Sequence, residues 1–246
     1  MTIMFNTSHL HPMLVHFPIA LVMFGFLAEA ASLLFKKEAW LSKAGFYLVF
    51  TFIALFALMG CTQTKPVKTI ENLKAGIKGE TTASAKYAAF ALKAREEGND
   101  TIAKLFDAAS KAEAIHAANH RKVLEELGEK MDEFTPEFEV KTTAENLQAA
   151  IEGESYEVTT MYPQFIADAE NENVTNAVKS FRWASDTEKK HQQFYKNTLQ
   201  ALNTKAENTL PFVYAVCPVC GNTYDKANMD EDCAFCMTPS DKFIII

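Results

Sequence analysis

The chain has 246 residues, with 24 Lys plus Arg against 31 Asp plus Glu and a formal net charge of -7. That length admits more than one domain, and the acidic balance argues against nucleic acid as a partner. The charge is unevenly spread: residues 1–61 hold five charged side chains (Glu29, Lys36, Lys37, Glu38 and Lys43), and the remainder carries 21 Lys plus Arg against 29 Asp plus Glu.

Residues 12–35 run apolar from Pro12 to Phe35, interrupted by His16 and Glu29, and residues 44–64 contain no charge. A bilayer core takes about 20 apolar residues in a helix, so residues 1–64 are expected to form a transmembrane hairpin of two helices. Lys36, Lys37 and Lys43 in the joining loop favour the cytoplasm for that loop, but Lys65, Lys68, Lys74 and Lys78 follow the second span and nearly balance them, which leaves the side of the soluble part open. Leu58-Met59-Gly60-Cys61 resembles a bacterial lipobox, in which Cys61 is lipidated and the apolar stretch before it is cleaved. The long upstream helix fits that poorly, so retained helices, anchored in a bacterial inner membrane, are the expectation. Glu29 is costly in lipid and therefore a functional suspect. His9, His11 and His16 read as haem or metal ligands or, more plainly, as side chains at the membrane surface. The stretch from His11 to Pro18 resembles the opening of an uncharacterised family of small bacterial membrane proteins and carries no mechanism.

From Thr69 the pattern turns helical. Thr69 is expected to cap a helix running toward Glu97, with Gly98-Asn99 as its stop, and Asp100 to cap a second helix ending at Gly128. Residues 129–142, containing Pro136, form a long connection. A third helix starts near Thr143 and should kink at Pro163. Asn171 to Asn173 make a turn into the last helix.

These helices carry one pattern written twice: Glu71-Asn72-Leu73, Gly79-Glu80 and Glu113 with His116, then Glu145-Asn146-Leu147, Gly153-Glu154 and Glu188 with His191. Glu80 and Glu154 are 74 positions apart and His116 and His191 are 75 apart, so one residue has been gained between the two landmarks. Residues three apart share a helix face, so each Glu-x-x-His offers an oxygen and a nitrogen to one point. A single such pair is usually two solvated side chains; two of them, each in step with a Gly-Glu, are the ligand set of a di-metal carboxylate site in a ferritin-like four-helix bundle, here residues 69–204. Mixed carboxylate and imidazole ligands suit iron or manganese. Glu157 breaks the symmetry, either as a solvated Glu or as a carboxylate that binds when the metal changes charge. Tyr87 and Tyr162 fall on or close to the faces of Glu80 and Glu154, beside the metals or simply packed with their hydroxyls bonded.

Residues 211–246 close the chain with Cys217-Pro218-Val219-Cys220-Gly221 and Cys233-Ala234-Phe235-Cys236. Two C-x-x-C knuckles around one tetrahedral metal are a strong signal. Zinc there is structural and iron is a one-electron carrier; the cysteines alone favour zinc on general frequency.

Taken together, the two Gly-Glu and Glu-x-x-His pairs, Glu157, Met161-Tyr162-Pro163 and the four cysteines resemble rubrerythrin over about 175 residues, Thr69 to Phe243. The resemblance implies a mainly α protein: a ferritin-like di-iron bundle with a C-terminal rubredoxin-like Fe(Cys)4 domain, which tips the four-cysteine metal from zinc to iron. It implies a non-haem di-iron peroxidase reducing hydrogen peroxide to water, with Glu80, Glu113, His116, Glu154, Glu157, Glu188 and His191 as ligands. Glu157 is then the carboxylate that exchanges with His116 as oxidation state changes, and Tyr87 and Tyr162 are tyrosines beside the site. It further implies a homodimer, in which one chain's four-cysteine centre lies near the other's di-iron site. Electrons are implied to come from a reduced pyridine nucleotide through a separate donor protein or reductase; the chain has no Gly-x-Gly-x-x-Gly after a strand and should not bind NADH itself. The rival readings are a ferroxidase that oxidises Fe(II) with oxygen and a membrane-bound scaffold with structural zinc. A reducing centre in the tail favours the peroxidase, because a ferroxidase takes its electrons from the iron it oxidises.

Overall fold

The structure, a computed structural model, describes residues 65–246 together with the helical positions 23–27, 30, 43 and 47. The chain divides into two units, Met1–Lys65 and Pro66–Ile246. In the first, Met23, Phe24, Phe26 and Leu27 are exposed. The rest of the two expected spans, with Glu29, Cys61 and the three N-terminal histidines, lies outside the described residues. Among the described residues no helix is long and apolar enough to cross a membrane.

The second unit is built from α1 (Val67–Glu96), α2 (Asp100–Glu126), α3 (Thr143–Tyr156), a π-helical turn (Glu157–Met161), α4 (Tyr162–Asn171) and α5 (Thr175–Thr204). Helices α1 and α2 form one antiparallel hairpin; α3 and α4, joined through the π turn, pack as one long rod against α5 to form the second. Gly98 and Gly128 end α1 and α2 with φ of +81° and +77°, the left-handed conformation that glycine adopts without steric cost. Thr142 caps α3 through a reciprocal pair of bonds with Glu145, and residues 129–142 cross between the hairpins without regular structure.

Two expected caps are displaced. Helix α1 begins at Val67 with Pro66 at the cap position, because a distant side chain does the capping: Glu172, in the turn after α4, accepts from the amides of Lys68 (3.1 Å) and Thr69 (2.7 Å). Helix α2 has Asn99, not Asp100, at its cap position, and Asp100 is its first residue, where a carboxylate faces the positive end of the helix dipole.

The core splits into two apolar clusters. One packs Tyr87, Phe90, Phe106, Leu147 and Tyr195 with the alanines of α1 and α2. The other packs Leu73, Ile77, Leu124, Tyr162, Phe165 and Phe181. Along α1, α2 and α5, and along the rod formed by α3 and α4, the metal ligands expected from the sequence fall between the residues of the first cluster and those of the second.

After α5 the chain reverses at Lys205 (φ +58°) and forms a small antiparallel sheet of order β2-β1-β3. Its strands are β1 (Tyr214–Val216), β2 (Thr223–Asp225) and β3 (Ile244–Ile245), with Val216 opposite both Thr223 and Ile244. Ala215 of β1, Tyr224 of β2 and the cysteine knuckles pack a third cluster that also contains Cys217, Cys220, Cys233 and Phe243.

Glu172 gives a direct test of the cap. Burial alone would raise its carboxyl, but the bonds from Thr69 and Lys68 outweigh this and hold it below the ordinary value. A depressed folded-state value means the stabilisation is present above the unfolded Glu range and is lost as pH falls through the folded value. Glu172→Ala is therefore expected to cost about 1 kcal/mol in denaturant unfolding at neutral pH, and the gap between wild type and variant should close in acid.

Candidate metal centres

Glu80 on α1, Glu113 and His116 on α2, Glu154 on α3, and Glu188 and His191 on α5 are each at most 1% exposed. Four helices thus bring to one buried point the six side chains that the repeat predicts. The ligand atoms sort into two sets, Glu80, Glu113, His116 and Glu188, and Glu113, Glu154, Glu188 and His191, each with its atoms within 4.8 Å of one another. Glu113 and Glu188 belong to both sets. Glu113 places Oε2 2.8 Å from His116 Nδ1 and Oε1 3.1 Å from His191 Nδ1; Glu188 places Oε1 2.9 Å from His116 Nδ1 and Oε2 2.8 Å from His191 Nδ1. The arrangement is that of two cation positions joined by two bridging carboxylates, each completed by one imidazole and one terminal carboxylate.

Two phenols hold the terminal carboxylates crosswise. Tyr87 of the first hairpin donates to Glu154 Oε1 of the second at 2.7 Å, and Tyr162 of the second donates to Glu80 Oε1 of the first. Each phenol leaves the second oxygen of its carboxylate free to face the cluster. Glu80 Oε2, Glu113 Oε1, Glu154 Oε2 and both oxygens of Glu188 are buried without a hydrogen bond. A buried carboxylate costs several kcal/mol in a dry interior; two imidazoles offset part of that for four carboxylates, and cations between them would offset the rest, so the residues present fit a di-metal group.

The electrostatics agree. Burial pushes Glu80 and Glu154 well above the usual carboxylate range, and the neighbouring carboxylates push the same way; Glu157, partly open to solvent but hemmed in by protein, is raised by the same two causes. Burial would also raise Glu113, but the imidazoles of His191 and His116 hold it down at about 2. Burial would lower His191, but Glu113 and Glu188 raise it to about 9. Without metal, protons must do the work of cations, and the cluster holds more carboxylates than imidazoles.

Glu157 lies outside both sets and is only partly buried, although it adds its charge to the fields at Glu80 and Glu154. It opens the π turn, and the repeat explains why the turn is there. Glu80 and Glu154 are 74 positions apart, while Tyr87 and Tyr162 are 75 apart; the gained residue therefore lies between Glu154 and Tyr162, where the helix widens. The Tyr162 amide bonds back five residues to the Glu157 carbonyl. A π turn absorbs one extra residue in an α-helix and is common at functional sites. The kink expected from Pro163 takes this form: the missing amide falls just after the turn, in the first residues of α4.

The four cysteines are unoxidised, with Cys217 Sγ 3.5 Å from Cys236 Sγ and Cys220 Sγ 3.4 Å from Cys233 Sγ. Those separations are far beyond a disulfide bond of about 2.05 Å and near the edge, about 3.8 Å, of a tetrahedron of sulfurs 2.3 Å from a metal. Hydrogen bonds to Cys217 lower its thiol to about 4 against the opposing effect of burial. Tyr224 donates to Cys233 Sγ at 3.6 Å.

Sequence reasoning missed how the two centres touch. Gly221, immediately after Cys220, has φ +82° and lies against His116, so that a Cβ on it would fall 2.3 Å from His116 Nε2 and 3.1 Å from the Ala112 carbonyl. Thr223 Oγ1 lies 2.9 Å from His191 Nε2. Lys190, next to His191, donates to Asn222 Oδ1 at 2.6 Å and lies over the Tyr224 ring at 3.9 Å. The cysteine module therefore covers the outer edges of both site imidazoles within this chain. Missed as well was His120, buried one turn beyond His116 and bonded to Ser180 and Tyr162.

Comparison with known proteins agrees with this geometry. Residues 71–199 match the family model described as Rubrerythrin, and residues 7–93 match one described as Predicted membrane protein (DUF2231). The chain is 35% identical over 196 residues to nigerythrin of Nitratidesulfovibrio vulgaris, covering 76% of this chain and 91% of that protein. It is 31% identical over 180 residues to rubrerythrin-2 of Clostridium acetobutylicum, covering 73% and 97%. The solved structure of the mixed-valent state of nigerythrin superimposes with a TM-score of 0.66 at 35% identity, over 72% of this chain and 86% of that one.

The contact at Gly221 supplies a prediction. Gly221→Ala forces a methyl group into the His116 ring from a left-handed backbone, so it is expected to destabilise the docked module by about 2 kcal/mol or more. Amide exchange checks it: β1 and β2 should lose protection in the variant while α1 and α3 keep theirs.

Proposed function

The chain belongs to the rubrerythrin family, and from that premise we propose that it is a di-iron peroxidase, reducing hydrogen peroxide to water with electrons that enter through iron at Cys217, Cys220, Cys233 and Cys236. The observation that carries this reading is the contact of the cysteine module with both site imidazoles, Gly221 against His116 and Thr223 on His191. A ferroxidase has no need of such an entry, because its electrons come from the iron it oxidises.

When bound, two irons between the bridging carboxylates would supply the two electrons that one peroxide takes, and a third at the cysteines would return them singly. The residues of the chain do the rest. Glu113 and Glu188 hold the two positions at a fixed separation, and His116 and His191 face one position each. Tyr87 and Tyr162 fix the terminal carboxylates Glu154 and Glu80. Glu157, on a turn wider than an α-helix and outside both sets, is assigned as the carboxylate that enters when the charge at the site changes. The apolar clusters on either side keep bulk water from the cluster, which strengthens every charge interaction within it.

The N-terminal unit is assigned as the membrane anchor, in keeping with the match of residues 7–93 to a predicted membrane protein family. Electrons are assigned to a separate donor, linked to a reduced pyridine nucleotide, that meets the exposed side of the cysteine module.

Two substitutions separate the roles. Cys220→Ser is expected to abolish steady-state peroxide reduction while a reduced bundle still consumes one equivalent in a single burst; steady turnover in that variant would remove the module from the electron path. Glu157→Ala is expected to retain iron, measured by metal analysis, and to slow peroxide turnover by about tenfold or more. Unchanged turnover would make Glu157 an ordinary surface carboxylate.

A further inference from the structure

Peroxide reduction consumes protons as well as electrons: one peroxide, two electrons and two protons give two waters. Apolar clusters flank the site on two sides, so a proton that crosses either of them needs a built route. A run of hydrogen bonds leads out of the site on one side. Tyr162 donates to Glu80; His120 Nε2 lies 3.1 Å from the Tyr162 hydroxyl; His120 Nδ1 lies 2.7 Å from Ser180 Oγ. Ser180 lines a surface cavity of about 280 Å³ between α2 and α5, together with Asn119, Lys122, Lys179 and Trp183. His120 is fully buried and Ser180 is 5% exposed.

We propose that Ser180, His120 and Tyr162 form a proton relay from this cavity to Glu80. The proposal rests on the peroxidase reading above, because it supplies a proton which that reaction needs. In one transfer the Tyr162 O–H bond breaks as its proton passes through Glu80 to the oxygen being reduced. The His120 Nε2 proton replaces it, the Ser180 hydroxyl proton passes to His120 Nδ1, and solvent entering the cavity reprotonates Ser180. No electrons move along this route. The imidazole ends with its proton on Nδ1, and proton exchange with solvent between turnovers, Nδ1 losing a proton and Nε2 gaining one, restores the starting tautomer.

Three observations favour a relay over simple packing. First, the terminal carboxylate accepts the Tyr162 proton, and from there each link accepts a donor from the next, so every proton points inward when His120 carries its proton on Nε2. Burial holds His120 near a pKa of about 3, aided by the charge of His116, so the ring is neutral and has one nitrogen free to accept. Second, the ring has room because residue 76 is glycine: a Cβ there would lie 3.0 Å from His120 Cδ2. Third, the internal repeat provides a control. At the repeat offset of 75, the counterparts of His120, Ser180 and Tyr162 are Tyr195, Leu105 and Tyr87. Tyr87 holds Glu154 as Tyr162 holds Glu80, but behind it stand the rings of Tyr195 and Phe106 and the fully buried Leu105. The positioning phenol is present in both halves; the route to the surface is present in one.

The test has two parts on the full chain. In the metal-free protein, ¹⁵N NMR of the histidine rings should show His120 neutral with its proton on Nε2; a proton on Nδ1 breaks the run of donors and overturns the relay whatever the enzyme does. In the iron-loaded, pre-reduced protein, rapid mixing with peroxide in H₂O and D₂O compares wild type with Ser180→Ala and His120→Gln. Gln keeps an N–H toward Tyr162 but cannot pass a proton through its side chain. The relay predicts that both variants, at unchanged iron content, oxidise about tenfold more slowly or worse with an altered solvent isotope effect. Wild-type rates in either variant, or slowing with the wild-type isotope effect, would reduce His120 to a packing residue. The wild-type rate reads the peroxidase assignment, and the ratio of variant to wild type reads the relay, so the two fail separately.

Discussion

The structure turns on the cost of gathering carboxylates where there is no water. Glu80, Glu113, Glu154 and Glu188 meet in the middle of a bundle, with five of their oxygens unbonded, and Glu157 adds its charge from the edge. An isolated buried charge is expensive enough that a protein normally protonates it or pairs it. Here the pairing groups are two imidazoles, which offset part of the charge, and the cations for which the bridging geometry is shaped. The architecture serves that cluster: two apolar layers close it from either side, and two phenols from opposite hairpins fix its terminal oxygens. Stability and reactivity share one cause, since the dryness that makes the cluster costly also makes its charges act strongly on each other.

A second constraint follows from covering the site. The outer nitrogens of His116 and His191 would open toward solvent if the bundle stood alone. The cysteine module closes that side, with a glycine where nothing larger fits and a threonine hydroxyl where a bond is needed. Because Gly221 is bonded to Cys220, one residue connects the sulfur cage to the edge of a site imidazole. The reversal at Lys205 lets the same chain supply both halves of this contact.

Much of this was legible before any coordinates. Helix period and the doubled Gly-Glu and Glu-x-x-His pattern place six side chains on inward faces, because those relations are local to one helix and repeat. The one-residue mismatch between the copies marks the π turn, although the sequence alone does not say whether a loop or a helix absorbs it. What it could not supply were contacts between elements far apart in the chain. Glu172 capping α1, Gly221 on His116 and Ser180 on His120 each join positions more than fifty residues apart, and no spacing rule links them. His120 had one usable signal: it follows His116 by one helical turn and therefore shares its buried face. For the N-terminal unit, apolar length and the match of residues 7–93 to a predicted membrane protein family point the same way, toward membrane association.

The measurement that bears most directly on the central claim is rapid mixing of the fully reduced, iron-loaded protein with hydrogen peroxide and, separately, with oxygen, following the ferric absorbance of both centres. Oxidation of the bundle by peroxide far faster than by oxygen, with the four-cysteine centre oxidised after it, is the predicted result. Faster oxidation by oxygen, with added Fe(II) consumed in multiples of the site count, would contradict it and identify an iron oxidase.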